Sequence, residues 1–252
     1  RTVLLAFGLQ GGIGFVALWT DWGIAALAAA SEYVAALLGY SRAGMEFIFG
    51  GLVGTSDSLG FVFAFNVLPV VIFFSSLIAV LYHARVMQWM IRILGGGLRK
   101  LLGTSHTESL SAAANVFVGQ AEAPLVARPY ISSMTQSELF AVMVGGMASI
   151  AGSVMAGYVA LGVPLEYLLA ASFMAAPGGL LMAKLIEPEV DQPSEPSQGE
   201  KLATEQYVNF IDAAATGAMN GLQMAGAIGA MLLAFIALIA MFSGILLSLI
   251  HI

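Results

Sequence analysis

Ser105-His-Thr-Glu-Ser-Leu-Ser-Ala-Ala-Ala-Asn-Val-Phe-Val-Gly-Gln-Ala-Glu-Ala-Pro-Leu-Val-Ala-Arg-Pro-Tyr130 is the stretch around which the rest of the chain is read. Ser105 with Glu108 three residues on is a capping box, which marks a helix start. A helix of small residues is expected to follow to about Val118, roughly a dozen residues or ~20 Å at the α-helical rise. A spanning helix takes about 20 apolar residues, so this one reaches about halfway. Gly119-Gln120-Ala121-Glu122-Ala123 then interrupts it with a glycine, an amide and a carboxyl group. Pro124 suits the first position of a second short helix. Two half-helices around a polar tip read as a re-entrant hairpin ending near the midplane. Irregular backbone is tolerated there only if it is buried in protein or lines a wet cavity.

Composition sets the surroundings of that hairpin. Of 252 residues, 59% are hydrophobic and 10% charged, against about 25% charged in a soluble domain. The apolar stretches are long and continuous, unlike the alternating segments of a membrane barrel. The expected fold is an all-α membrane protein: a multi-span helical bundle with a re-entrant helical hairpin and interfacial helices. The net charge of -6 says little about partners, because seven of the fifteen acids fall between Glu187 and Asp212. No basic cluster points to nucleic acid. Cysteine is absent and the three histidines are scattered, so neither disulfides nor a zinc spacing arises.

Taken in order, residues 1–82 read as scaffold-type spans with an interfacial segment. Thr2 to Trp19 is a first span. Trp22 to Leu38 fits an amphipathic or interfacial helix better than a span. Ser41 to Leu59 reads as a loop with an interfacial piece, and Phe61 to Tyr82 as a span that Pro69 kinks. Residues 83–103 form a basic amphipathic helix. Four of the nine Lys/Arg lie in it (Arg85, Arg92, Arg99 and Lys100), which puts it on the cytoplasmic side by the positive-inside rule. Residues 104–186 hold the hairpin and the spans of a transport domain. A second capping box, Thr135 with Glu138, starts a span to about Tyr158 crowded with small residues, and Pro164 to Ile186 follows with a kink at 175–179. Residues 187–206 are an acidic linker, and 207–252 carry the final span from Gly221.

Intramembrane Glu122 is a functional candidate by default; its structural alternative is an acid capping the second half-helix. Gln120 beside it gives the tip two side chains of opposite hydrogen-bonding character, suited to a solute bearing hydroxyl and amide groups. The open N-terminus after Pro124 adds N–H donors. Asn115 and Ser149, taken singly, read as ordinary helix-contact residues. Together, with carbonyls freed by broken helices, they offer the oxygen ligands a small hard cation takes. An enzyme is not expected, since no His, Cys or second buried carboxylate in the hairpin completes a catalytic pair with Glu122.

At these residues the sequence resembles the concentrative nucleoside transporter family, in its bacterial form. The matching stretches include Gly60 to Phe65 with Leu68-Pro69, Phe73 to Leu77 and Met87-Gln88-Trp89. They continue with Ala112 to Asn115, Gly119 to Leu125, Met134 to Leu139 and Gly146 to Gly152, within a likeness running from about Gly50 to Pro188 and, more weakly, on to Ile252. The resemblance implies a homotrimer in the bacterial inner membrane, whose transport domain moves against a scaffold. It implies cation-coupled symport of nucleosides, with sodium as the coupling ion, a proton as its alternative, and no other cofactor. Carried over by position, Gln120 and Glu122 meet the nucleobase, with Gly119 and Ala121 beside them and Val154 packed against it. Asn115 and Ser149 by side chain, with Val118 and Ile150 by carbonyl, hold sodium. Position 121 is Ala where the family usually has Thr or Ser. Uridine and other pyrimidine nucleosides are the favoured substrates, and the lipid bilayer is the surrounding partner. The family's second inverted half is not among the 252 residues, so the chain reads as an N-terminal half. The alternatives are a carrier for another small polar solute and a non-transporting fragment.

Overall fold

A computed structural model describes residues 2–54, 60–117, 123, 127–150, 152–191, 193 and 207–250. The regular elements among them are helices: α1 (Thr2–Trp19), α2 (Asp21–Phe49), α3 (Phe63–Asn66), α4 (Leu68–His83), α5 (Val86–Leu102), α6 (His106–Ala114), α7 (Gln136–Ala148), α8 (Gly152–Ala160), α9 (Leu165–Ile186) and α10 (Phe210–Ile250). Short 3-10 turns lie at Gly50–Leu52 and Arg128–Ser133. Among the described residues, five segments are long and apolar enough to cross a membrane: α1, α2 with its 3-10 turn, α3 with α4, α9, and α10. The chain is an all-α, multi-span membrane protein, the class that its composition dictates.

Several boundaries differ from the sequence reading. The interfacial helix at Trp22–Leu38 and the first part of the loop expected from Ser41 to Leu59 are one helix of 29 residues, α2, which ends at Phe49; residues 55–59 lie outside the described residues. Thr20 caps it by accepting from Gly23 N–H at 3.2 Å. Its polar second half packs Met45 against Val70 of the span that follows, and the exposed Arg42 Nε–Glu46 Oε1 pair, 2.7 Å one turn apart, adds about 0.2–0.5 kcal/mol to the helix. The span from Phe61 divides just before Pro69, at Val67 between α3 and α4, and Pro69 stands in the first turn of α4, where its missing N–H leaves no bond unmade. The span from Gln136 is not continuous either. It stops at Ala148 and restarts at Gly152, with Ser149 extended at φ -102 and ψ 157. The kink expected at 175–179 leaves α9 unbroken through Pro177. The last segment is one helix of 41 residues, α10, which takes in the mildly polar stretch before Gly221. Helix α6 ends at Ala114, short of Val118.

Two packing solutions organise the molecule. Helix α10 lies on α4 through a seam of small residues one turn apart, Ala213, Gly217, Gly221 and Ala225. A Cβ added at Gly217 would lie 2.6 Å from the Ala79 Cβ, and one at Gly221 would lie 2.7 Å from the Ile72 Cα. Ser76 Oγ donates to the Ala214 carbonyl across the seam at 2.9 Å. Small residues here let backbones meet where hydrocarbon gives no hydrophobic push.

Helix α6 is the second solution. Every residue from Thr107 to Ala114 is buried. A helix covered on all sides must be thin. Its alanines and serines let α5, α7 and α9 close in, and Gly95 of α5 rests directly on Leu110 and Ser109. Ala112 shares one core with Ala6, Leu102, Ala141, Leu180 and Ala183. Leu110, Ala113 and Ala114 share another with Ile78, Met87 and Ile91. Helix α5 is amphipathic as its sequence requires: it buries Met87, Ile91, Gly95 and Leu102 and exposes Arg92, Arg99 and Lys100.

Candidate ion and substrate site

Both capping boxes form as read. Ser105 Oγ accepts from Glu108 N–H at 3.3 Å, and Glu108 Oε2 accepts from Ser105 N–H at 3.1 Å. Thr135 Oγ1 accepts from Glu138 N–H at 3.1 Å, and Glu138 Oε2 accepts from Thr135 N–H at 2.9 Å. The two helix starts lie side by side, because Thr107 Oγ1 donates to Glu138 Oε1 at 2.8 Å. Helices α6 and α7 therefore leave one end of the molecule in the same direction, and the chain between them has come back to that end.

At the far end they meet again. Asn115 caps the C-terminus of α6 and is 2% exposed. Ser149, where α7 breaks, points its Oγ at Asn115 Oδ1 at 3.4 Å and at the Gly146 carbonyl at the same distance. Both contacts are at the limit of a hydrogen bond, so the oxygens are close without satisfying each other. Gly152, the first residue of α8, lies against the Phe117 carbonyl; a Cβ there would collide with that oxygen. The broken α7–α8 corner is thus seated on the end of α6 at two points. Ser149 and Ile150 lie outside the helical ladder, so carbonyls near the break lack the intrahelical partners that a continuous helix would supply. Neutral oxygens of an amide, a hydroxyl and unwound backbone are the donor set that suits a small hard cation. By this chemistry Asn115, Ser149 and Ile150 fit a sodium ion.

Among the substrate-side residues, Val154 is half-buried on α8. Val118, Gly119, Gln120, Ala121 and Glu122 lie outside the described residues, as does Pro124.

The sequence reading missed a buried charge cluster at the capping-box end. It took Glu108 and Glu138 as caps and expected no buried carboxylate in the hairpin besides Glu122; Glu108 is 2% and Glu138 1% exposed. Lys184, from the last turn of α9, pairs with Glu108 Oε1. Its ammonium also donates to Ser137 Oγ at 2.7 Å and to Glu189 Oε2 at 3.3 Å. Thr135 Oγ1 donates to the same Glu189 oxygen at 2.9 Å, and Ser137 Oγ to the Glu187 carbonyl at 2.7 Å. The one available signal was a lysine ending an apolar helix, Lys184, in a chain with a capping-box acid to match it.

Three family models cover almost the whole chain. One for the N-terminus of Na+-dependent nucleoside transporters matches residues 1–52, one for nucleoside recognition matches 64–165, and one for the C-terminus of the same transporters matches 167–252. The chain belongs to the concentrative nucleoside transporter family. The likeness also takes in the residues before Gly50, from which the sequence reading drew none of its matching stretches. Over 96% of its length the chain is 48% identical to nucleoside permease NupC of Helicobacter pylori, spanning 58% of that protein. Over 95% of its length it is 42% identical to human sodium/nucleoside cotransporter 1, spanning 36% of that protein. The structure of CNTnw in an inward-facing, substrate-bound state superposes with a TM-score of 0.91 at 55% identity, covering 97% of this chain and 58% of that one. A CNTnw variant in an outward-facing state gives the same TM-score at 56% identity, covering 98% and 59%. The chain thus spans about three fifths of the length of its bacterial relatives. The family is one of transporters, not of enzymes.

Proposed function

We propose that this chain forms the ion-binding and base-recognising part of a transporter that takes up nucleosides with sodium. The observation that carries the reading is the meeting of Asn115 Oδ1 and Ser149 Oγ at the break between α7 and α8. In this proposal Asn115 and Ser149 hold sodium by side chain, and Val118 and Ile150 by carbonyl. Bound sodium supplies positive charge that fixes the end of α6 against the α7–α8 corner. Next to it, Gln120 and Glu122 hydrogen-bond the nucleobase, Gly119 and Ala121 leave it room, and Val154 packs against its ring. A pyrimidine nucleoside such as uridine is the favoured ligand, with no side-chain hydroxyl at Ala121 to contact its base.

The remaining assignments belong to the same proposal. Residues 104–186, with their re-entrant hairpin, move as a transport domain against a scaffold that includes 1–82. The basic helix α5 lies on the cytoplasmic face of a bacterial inner membrane. Three copies of the complete protein assemble. Relatives solved facing inward and outward support alternating access.

The test is uridine uptake by the full-length protein against sodium concentration. Asn115→Ala and Ser149→Ala should each raise the sodium needed for half-maximal uptake. Uptake that ignores sodium and follows an imposed pH gradient would replace sodium by a proton carried on Glu122. Competition by amino acids rather than nucleosides would make the chain part of a carrier for another polar solute.

A further inference from the structure

Thr107, Ser111 and Asn115 stand one turn apart on a single face of α6. Thr107 meets α7 at Glu138, and Asn115 meets it at Ser149. Ser111, between them, shares that face. The residue is 1% exposed, and its buried hydroxyl has no hydrogen-bond partner among the described residues. That is unusual for a helical serine in this chain. Ser31, Ser109 and Ser172 each turn their hydroxyl onto the carbonyl four residues back, at 2.7, 2.7 and 3.0 Å.

A second orphan lies one turn on. Asn115 Nδ2 is buried and has no partner among the described residues. Its direction is known. Oδ1 faces Ser149, while Nδ2 faces Gly145, one turn earlier on α7, where an added Cβ would lie 3.0 Å from it. Because α6 and α7 run the same way, Nδ2 is turned toward the level of Ser111. A buried donor and a buried acceptor, one turn apart over a bare glycine, each carry the cost of an unmade bond.

We propose that Ser111 is a positioning residue of the ion site: its hydroxyl accepts the Asn115 amide N–H through one bridging water and so keeps Oδ1 toward Ser149. An amide turned the other way would present N–H donors where a cation needs oxygen. The polar site with partners on both sides suits one bound water. This inference rests on the sodium reading above.

The experiment titrates sodium into the purified full-length transporter and reads thermal unfolding, alongside uridine uptake. Ser111→Ala should raise the half-effect sodium concentration by about two- to tenfold, the size of one lost hydrogen bond. Uridine binding at saturating sodium should stay unchanged, which checks the fold. Ser111→Thr, which keeps the hydroxyl, should hold the parent curve. In an Asn115→Ala background, Ser111→Ala should do nothing further. A parent-like sodium curve for Ser111→Ala, or effects that simply add in the double variant, would overturn the inference while leaving the ion site standing. An Asn115→Ala protein with the parent curve would overturn the ion site and the inference together.

Discussion

The Glu108 carboxylate, at the start of α6, is paired inside the protein with the Lys184 ammonium at the end of α9, and both side chains are all but inaccessible. Removing one member of such a pair leaves a buried charge alone, at a cost of about 3–5 kcal/mol, whereas removing both together costs far less. Lys184→Met should therefore lower the unfolding temperature of the full-length protein markedly. Glu108→Gln with Lys184→Met should recover most of that loss. A loss in the double variant equal to the sum of the two single losses would show that the pair contributes no coupling. Glu108→Gln alone also keeps the bond to Ser105 N–H within reach of its amide oxygen, so it should be milder than Lys184→Met.

The seam between α4 and α10 gives a prediction with its own control. Gly217→Val puts a branched side chain where even a Cβ has no room, against Ala79 and the backbone of Ser75 and Ser76. Overpacking of this kind costs about 1–3 kcal/mol. Gly226→Ala, on the same helix, adds a Cβ that meets nothing within 4 Å, and it should leave stability where it was or raise it through helix propensity. Thermal unfolding of the two variants side by side checks this.

Glu122→Gln should abolish nucleoside binding in the full-length protein while leaving the fold intact. At the hairpin tip proposed for it, a carboxylate persists only if it is used or paired. Calorimetric titration with uridine reads the result, and an affinity equal to the parent's would reassign Glu122 as a structural acid.

Ala121→Thr should tighten binding of the preferred pyrimidine nucleoside by up to about tenfold, since a net hydrogen bond is worth about 0.5–1.5 kcal/mol and about 1.4 kcal/mol is a decade of affinity. Purine nucleosides should gain less, because their larger ring system meets the added methyl. Titrating uridine, cytidine and adenosine into both proteins decides the matter. Equal affinities throughout would show that a water already makes the hydroxyl's contacts.

The sequence was most legible where local rules govern. Both capping boxes, the first span and the basic amphipathic helix stand where the residues put them, because caps and periodicity act within one or two turns. It was least legible where distant segments decide. Nothing local in Gln136 to Tyr158 dictates a break at Ser149. The corner is held by Gly152 against Phe117, a residue just past the end of α6. In the same way, the polar half of α2 reads as a loop, yet Met45 buried against Val70 of α4, a residue on another helix, ties that half into the bundle. Within the site, the types Asn115 and Ser149 suggested ion ligands, and the structure brings those two together. Ser111 escaped notice because a serine in a helix is ordinarily satisfied by its own backbone. The Glu108–Lys184 pair joins residues far apart in the chain, and no spacing rule reaches that far.

The burial of α6 on every side has a consequence for the order of events during synthesis. An apolar spanning helix can enter the bilayer on its own and associate afterwards. A short helix carrying Glu108, Ser109 and Ser111 has neither the length nor the hydrophobicity for that. It becomes soluble in the membrane only within a sheath made by α5, α7 and α9. Lys184, which neutralises it, leaves the ribosome last of these. Helix α6 must therefore wait near the surface while later segments insert, and the assembled bundle, rather than the lipid, is the solvent it finally dissolves in.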